Sequence, residues 1–201
     1  MKIVVTGFQA FLKHVDNPTE AILKRLPKVI EGNTIIPLLL PVEFDQSFNH
    51  LLEVVEIEKP QIVIMLGLAG GRKAISLERI AINVNHSSSP DNKNVTKHHE
   101  TINEKGKNAY FTSLPIEQIQ RRLKEKKIPC EISNSAGTYV CNNVFYQMMN
   151  YIEQSTTDII AGFIHIPYMT EQSREKRDFS LDLSILVEAV IEVIYTCIKR
   201  K

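Results

Sequence analysis

The feature that most restricts this chain is a repeated change of hydrophobic period. Strand-length apolar runs rich in Val, Ile and Leu alternate, end to end, with segments whose apolar residues recur at helical spacing. Such alternation points to an α/β fold with a largely parallel sheet, because parallel neighbours need a crossover and a helix is the usual one. Residues 2–6 read as a buried strand. Asn17-Pro18-Thr19-Glu20 then supplies a polar cap, an early proline and a first-turn acid for a helix reaching about Leu26. Asn33–Leu40 reads as the second strand, 45–58 as an amphipathic helix, and 61–66 as a third strand between Pro60 and Gly67. Residues 77–84 have strand composition. The stretch 85–107 carries Ser, Asn, Lys and His with neither period, which predicts a long exposed excursion, either a functional lid or contact surface or a mobile loop. Ile116, Ile119 and Leu123 mark a helix after Pro115, Cys130–Ser133 a short strand, and 158–166 a buried strand. A polar segment at 169–178 leads to a C-terminal helix over 180–199, apolar around more than half its circumference.

A length of 201 residues fits one domain spanning 1–201. The 24 Lys+Arg nearly cancel the 23 Asp+Glu, so no global field would hold a nucleic-acid backbone or an anionic membrane. The opening MKIVVTGF lacks the marks of a secretory signal, so a cytoplasmic protein is expected. The longest apolar region, 181–198, is interrupted by Asp182, Glu188 and Glu192, which argues against an ordinary membrane span. Three cysteines, Cys130, Cys141 and Cys197, are an odd number without a C-x-x-C pair and fit neither a disulfide framework nor a zinc site.

Ligands of open α/β sheets bind beyond the carboxyl ends of strands, so reactive side chains are sought where a strand gives way to a turn or helix. Cys141 follows the turn-forming Ser135-Ala136-Gly137-Thr138 and opens a helical pattern through Val144, Phe145, Met148, Met149 and Ile152. Free amides and the helix dipole there favour thiolate, the form that attacks carbonyl carbon, and the same amides could hold an oxyanion. Taken alone, a free cysteine is more often a small buried hydrophobe, the reading kept for Cys130 and Cys197. His165 lies in Gly162-Phe163-Ile164-His165-Ile166-Pro167, and Pro167 ends that strand at the sheet rim. A satisfied core histidine is the plainer reading of it. A nucleophile and base need a third group to orient the imidazole. Glu78, a lone carboxylate in a strand-like run after the glycine-rich Gly67-Leu68-Ala69-Gly70-Gly71-Arg72, is the candidate; the plainer reading is a surface carboxylate paired with Arg79. That turn has neither P-loop nor dinucleotide spacing. His98-His99-Glu100 is not an H-E-x-x-H motif and reads as solvated loop, not metal site.

The phrases GLAGGRKAISLERIAIN, SAGTYVCN and GFIHIPY, with Thr6-Gly7-Phe8, Asn17-Pro18, Leu40-Pro41-Val42, Pro90-Asp91-Asn92 and Ala109-Tyr110-Phe111 in order, resemble the pyrrolidone-carboxylate (pyroglutamyl) peptidase family. The resemblance covers nearly the whole chain. It implies a cytoplasmic cysteine peptidase that removes an N-terminal pyroglutamyl residue from peptides, a three-layer α/β/α sandwich, commonly a homotetramer, and no cofactor or metal. Matched residue by residue, the family's catalytic Cys, His and Glu fall on Cys141, His165 and Glu78. Its ring-contacting phenylalanines fall on Phe8 and Phe11, and Leu68, Tyr139 and Val140 match its pocket wall. Tyr139 adds a hydroxyl where Phe is common.

The chain departs from the family in two places. Gly7-Phe8-Gln9-Ala10-Phe11-Leu12-Lys13 lacks a proline and two glycines common there, and Ser88 stands where many members carry an arginine thought to polarise the scissile carbonyl. Losing one oxyanion donor costs about 100- to 1000-fold in turnover, so a slower or differently tuned enzyme is expected. A non-catalytic binding protein of the same fold is the alternative, and a phosphate-dependent nucleoside-type enzyme a third, without a phosphate motif to support it.

Overall fold

The structure, a computed structural model, describes residues 1–11, 16–155, 157–173 and 178–200. Its strands are β1 (Lys2–Phe8), β2 (Val29–Ile30), β3 (Asn33–Leu40), β4 (Ile62–Leu68), β5 (Ile75–Glu78), β6 (Ile80–Ile82), β7 (Ala109–Phe111), β8 (Cys130–Ser133), β9 (Ile160–Ile166), β10 (Tyr168–Met169) and β11 (Ser180–Leu181). Its helices are α1 (Pro18–Leu23), α2 (Gln46–Glu58), α3 (Ile116–Glu125), α4 (Val140–Gln154) and α5 (Leu183–Lys199). Seven strands form one sheet in the order β2-β3-β1-β4-β9-β5-β8, and β6-β7 and β10-β11 form separate pairs. The run β3-β1-β4-β9 is parallel. β2 and β5 run antiparallel to β3 and β9, and β8 runs parallel to β5.

Side chains alternate between the faces of a strand, and here that parity builds two cores. Ile3 and Val5 of β1, Ile62, Ile64 and Leu66 of β4, and Ile160, Ile164 and Ile166 of β9 join Ile22, Ile119, Leu186 and Val190 from α1, α3 and α5. Val4, Val63, Met65, Ala161 and Phe163 face the other way and join Leu51, Val55, Val144, Phe145 and Met148 from α2 and α4. The expected three-layer α/β/α arrangement follows. The apolar circumference of α5 is used inside the chain, where Leu186, Ala189, Val190, Val193, Ile194 and Cys197 are buried. Its polar flank meets α3 through Arg122 and Glu192 at 2.7 Å. Among the described residues no helix is long and apolar enough to cross a membrane.

Local signals set several boundaries. Asn17 caps α1 by accepting from the Thr19 amide at 3.0 Å, with Pro18 in the first turn. The helix stops at Leu23, short of the expected Leu26. The strand expected over 77–84 is two strands broken at Arg79, because β5 pairs with β8 and β9 while β6 pairs with β7. Strand β9 begins at Ile160, not at 158. The polar excursion is held at its base by Asn85 and Glu100, which exchange backbone hydrogen bonds of 2.7 and 3.0 Å. Within it Asp91 is buried, accepting from the amides of Phe44, Lys93 and Val95. Much of the excursion is exposed, as expected, but it is anchored to the body rather than free of it. Cys197 and Cys130 are packing residues as expected, Cys197 buried and Cys130 partly buried against the same core, its sulfur donating to the Gln120 carbonyl. Leu12 and Lys13 of the altered first loop, and 174–177 of the polar segment, lie outside the described residues.

Candidate active site

The carboxyl end of β4 carries Gly67, and its register partner on β9 is His165. In-register residues of parallel strands present the same face, so His165 stands on the α2/α4 side, as Phe163 does two residues earlier. On the other flank of β9, Glu78 of β5 is opposite Phe163 and shares that face. Its carboxylate reaches along the strand to His165, where Nδ1 and Glu78 Oε1 are 2.7 Å apart. Both groups are shut away from solvent, with Glu78 at 0% and His165 at 5% exposure. Cys141 comes from the other layer as the second residue of α4. Its sulfur lies so close over Gly67 that a Cβ added there would be 2.9 Å from Sγ. The missing side chain at 67 is what lets the start of α4 approach the sheet. Glu78, Cys141 and His165 therefore converge on one face at the rim.

Arg72 also reaches this cluster, a contact for which the sequence offered only its place in the glycine-rich phrase. Its Nη1 donates to Glu78 Oε1 at 2.7 Å and its Nη2 to the Ser135 carbonyl at 3.0 Å. Glu78 is thus not a surface partner of Arg79 but a buried carboxylate between a guanidinium and an imidazole. Ser88 is exposed and brings no charge.

Beside the cysteine opens a cavity of about 210 Å³ lined by Phe8, Phe11, Asn17, Val42, Leu68, Gly70, Tyr139, Val140, Cys141 and Tyr168. This is smaller than the roughly 300–1,000 Å³ of drug-sized sites and suits a compact group. All five pocket residues expected from the sequence, Phe8, Phe11, Leu68, Tyr139 and Val140, are in its wall. Asn17 was legible only as a helix cap, and Tyr168 only as the tail of a strand phrase. Gly70 makes room for Tyr168, since a Cβ at 70 would lie 2.2 Å from the tyrosine hydroxyl. Tyr139 packs against Phe11 and Phe44, with ring centroids 5.3 Å away in each case, and its hydroxyl donates to the Pro90 carbonyl at 3.0 Å. Burial, with Asp91 nearby, holds that hydroxyl in its protonated, donating form. The neighbouring Thr138 exchanges hydrogen bonds with the backbone of His86, at 2.6 and 2.9 Å. The excursion is thereby pinned to the pocket wall.

The charge state differs from the expectation of a thiolate favoured by the helix start. Burial, and then the negative charge of Glu78, push the Cys141 thiol up to about 12, against the smaller opposing pull of Arg72 and the backbone amide. Burial outweighs the dipole because the sulfur is seated closely over Gly67 of the sheet, at the edge of the cavity. Burial also pushes His165 down, with Glu78 opposing and Arg72 assisting. Both shifts favour the uncharged forms, thiol and imidazole. Tyr139 at the N-cap makes no side-chain hydrogen bond to the helix, which leaves first-turn amides of α4 for another acceptor. His98 and His99 lie in the excursion, His99 stacked on His86 at 4.1 Å. Among the described residues no group of three or more His, Cys, Asp or Glu side chains could hold a metal ion.

Comparison with known proteins bears on the family and the fold. The family model described as pyroglutamyl peptidase matches residues 1–200. The chain is 42% identical to the pyrrolidone-carboxylate peptidase of Thermosipho africanus, covering 100% of this chain and 98% of that one. It is 43% identical to that of Lactobacillus helveticus, over 98% of both. The crystal structure of pyroglutamyl peptidase I from Bacillus amyloliquefaciens superposes with a TM-score of 0.96 at 38% identity, covering 99% of this chain and 95% of that one. A mutant pyrrolidone carboxyl peptidase from Pyrococcus furiosus gives 0.95 at 38% identity, with 99% of each chain covered. With its fold and almost its whole length matched, this chain belongs to the pyroglutamyl peptidase family.

Proposed function

We propose that this chain is a cysteine omega-peptidase removing N-terminal pyroglutamyl residues from peptides, with Cys141 as nucleophile, His165 as proton carrier and Glu78 as the group that orients it. The observation that carries this reading is the buried Glu78–His165 pair on the face that holds the Cys141 sulfur, beside a small, mainly apolar pocket. Phe8, Phe11, Leu68, Tyr139 and Val140 would enclose the lactam. A neutral ring suits apolar walls with few polar groups.

The chemistry starts from the neutral pair. With Nδ1–H donated to Glu78 Oε1, the free Nε2 of His165 accepts the thiol proton as sulfur bonds to the pyroglutamyl carbonyl carbon. The carbonyl oxygen becomes an oxyanion, held by first-turn amides of α4 including that of Cys141. The tetrahedral centre collapses, the C–N bond breaks, and His165 gives the proton to the leaving amine. A water then bonds through oxygen to the thioester carbon and yields a proton to His165. The C–S bond breaks, pyroglutamic acid leaves, and the proton returns to sulfur.

The remaining parts of the reading have separate support. Residues 1–201 are taken as one functional unit because the site draws Glu78 and His165 from the seven-stranded sheet and Cys141 from the helix packed on it. A reducing cytoplasm suits three unpaired cysteines. Near-neutral net charge argues against a nucleic-acid partner. A homotetramer rests on the family resemblance, and light scattering on the purified protein tests it. Release of a fluorescent amine from a pyroglutamyl amide tests the reaction. Turnover is expected under reducing conditions, absent for Cys141→Ala and for the prolyl amide, which lacks the ring carbonyl. Absence of turnover from folded, reduced native protein would sink the reading.

A further inference from the structure

The Arg72 side chain is held twice, and both contacts lead to the reacting groups. The turn after β4 delivers it: the Arg72 amide closes back on the Ala69 carbonyl at 3.3 Å, and Gly71 takes a φ of +86°, open to glycine at no steric cost. One arm, Nη1, meets Glu78 Oε1, the same oxygen that faces His165 Nδ1, each at 2.7 Å. Glu78 Oε2 is buried without a hydrogen-bond partner among the described residues, so the acid is oriented through Oε1. The other arm, Nη2, meets the Ser135 carbonyl. Ser135 starts the turn that runs through Gly137, at φ +76°, to Tyr139 and the first turn of α4 with Cys141.

We propose that Arg72 is a positioning residue for this reaction, a rigid strut that ties the Glu78–His165 pair to the turn holding the nucleophile. A guanidinium presents its donors in a fixed planar fork, so the carboxylate and the Ser135 carbonyl cannot shift independently while both contacts hold. The distance between base and nucleophile is thereby kept by a group that touches neither the substrate nor the sulfur. Arg72 has an electrostatic effect in the same direction. Its positive charge opposes a second positive charge on His165 and so keeps the imidazole ready to accept the thiol proton. The charged groups acting on His165 are Glu78 from β5 and Arg72 from the turn after β4, while the Cys141 sulfur of α4 lies over Gly67, the register partner of His165.

This proposal rests on reading Glu78, His165 and Cys141 as the reacting set, and its test separates the two. Arg72→Gln and Arg72→Lys are compared with the native protein by kcat and KM over a pH series. In parallel, histidine-labelled NMR follows the His165 imidazole titration, assigned by difference with His165→Gln, and circular dichroism checks the fold. For Arg72→Gln, kcat should fall at least about ten-fold with KM little changed. Its acid limb and the His165 titration should both move to higher pH by about one unit. Arg72→Lys keeps the charge without the fork, so its titration should stay near native while the kcat loss persists. Unchanged kcat in Arg72→Gln, a loss confined to KM, a kcat loss with an unmoved His165 titration, or full recovery in Arg72→Lys would each overturn the strut. If Arg72→Gln does not fold, the lysine variant decides. If the native protein itself turns nothing over, the peptidase reading fails, while the imidazole titration still decides whether Arg72 acts on the pair.

Discussion

Gly67→Ala is the substitution with the most directly calculable consequence. A Cβ built at 67 would stand 2.7 and 2.8 Å from Cζ and Cε1 of Phe163 and 2.9 Å from Cys141 Sγ, whereas ordinary contacts begin at 3.4 Å. Relief therefore requires the ring to withdraw by about 0.7 Å and the sulfur by about 0.5 Å, the differences between those distances. Phe163 is buried in the α2/α4 core, so forcing the ring back should destabilise the fold by about 1–3 kcal/mol, as overpacking does. Cys141 is fixed by the start of α4, and a displacement approaching 1 Å at a reacting atom costs about 100-fold. Hydrolysis of a pyroglutamyl amide and thermal unfolding are the two assays. The expected result is a kcat loss on the order of 100-fold with KM little changed, because the pocket walls other than Cys141 stay in place. Adding Phe163→Leu should recover part of the stability by removing the ring atoms in conflict, without recovering kcat, because the clash with sulfur remains. Near-native kcat in folded Gly67→Ala would refute the close seating of the nucleophile on β4.

Three further outcomes follow from the same geometry. Glu78→Gln should lower kcat by roughly 100- to 10,000-fold with KM little changed, since an amide cannot fix the imidazole tautomer as a carboxylate does; steady-state kinetics check it. Tyr139→Phe should raise KM several-fold and lower stability by about 1–3 kcal/mol, because the hydroxyl's bond to the Pro90 carbonyl is lost at a partly buried site; parallel kinetics and unfolding would expose a null effect. The pH dependence of stability has two arms. The His165 value is lowered in the folded state, so the unfolded chain binds its proton first and stability falls as pH drops below about 6.5. The Cys141 value is raised from 9.0 to about 12, so above pH 9 the unfolded chain loses its proton first and stability falls as pH rises. At pH 10 that second contribution is on the order of 1 kcal/mol and should vanish in Cys141→Ala, measured by chemical unfolding at pH 7.5 and 10.

Much of the fold was legible in the sequence because it depends on each residue's near neighbours. Parity along β1, β4 and β9 sends Ile3, Ile64 and Ile164 to one core and Val4, Met65 and Phe163 to the other, so the two-sided sheet is written in the alternation itself. Asn17-Pro18 and Pro115 mark the starts of α1 and α3 for equally local reasons. The phrases around Glu78, Cys141 and His165 could be picked out because a reactive side chain at the end of a strand or the start of a helix has a recognisable setting. What the sequence left open depends on partners distant along the chain. The break at Arg79, the antiparallel entry of β5 beside β9, and the pinning of the 85–107 excursion to Thr138 and Tyr139 are all decided by long-range pairing. The thiol illustrates the division most plainly. The sequence located Cys141 at a helix start and so implied a thiolate, but burial against Gly67 beside the charge of Glu78 reverses that preference. Local sequence sets where a dipole points, whereas desolvation and neighbouring charge come from groups that only the tertiary structure brings within reach.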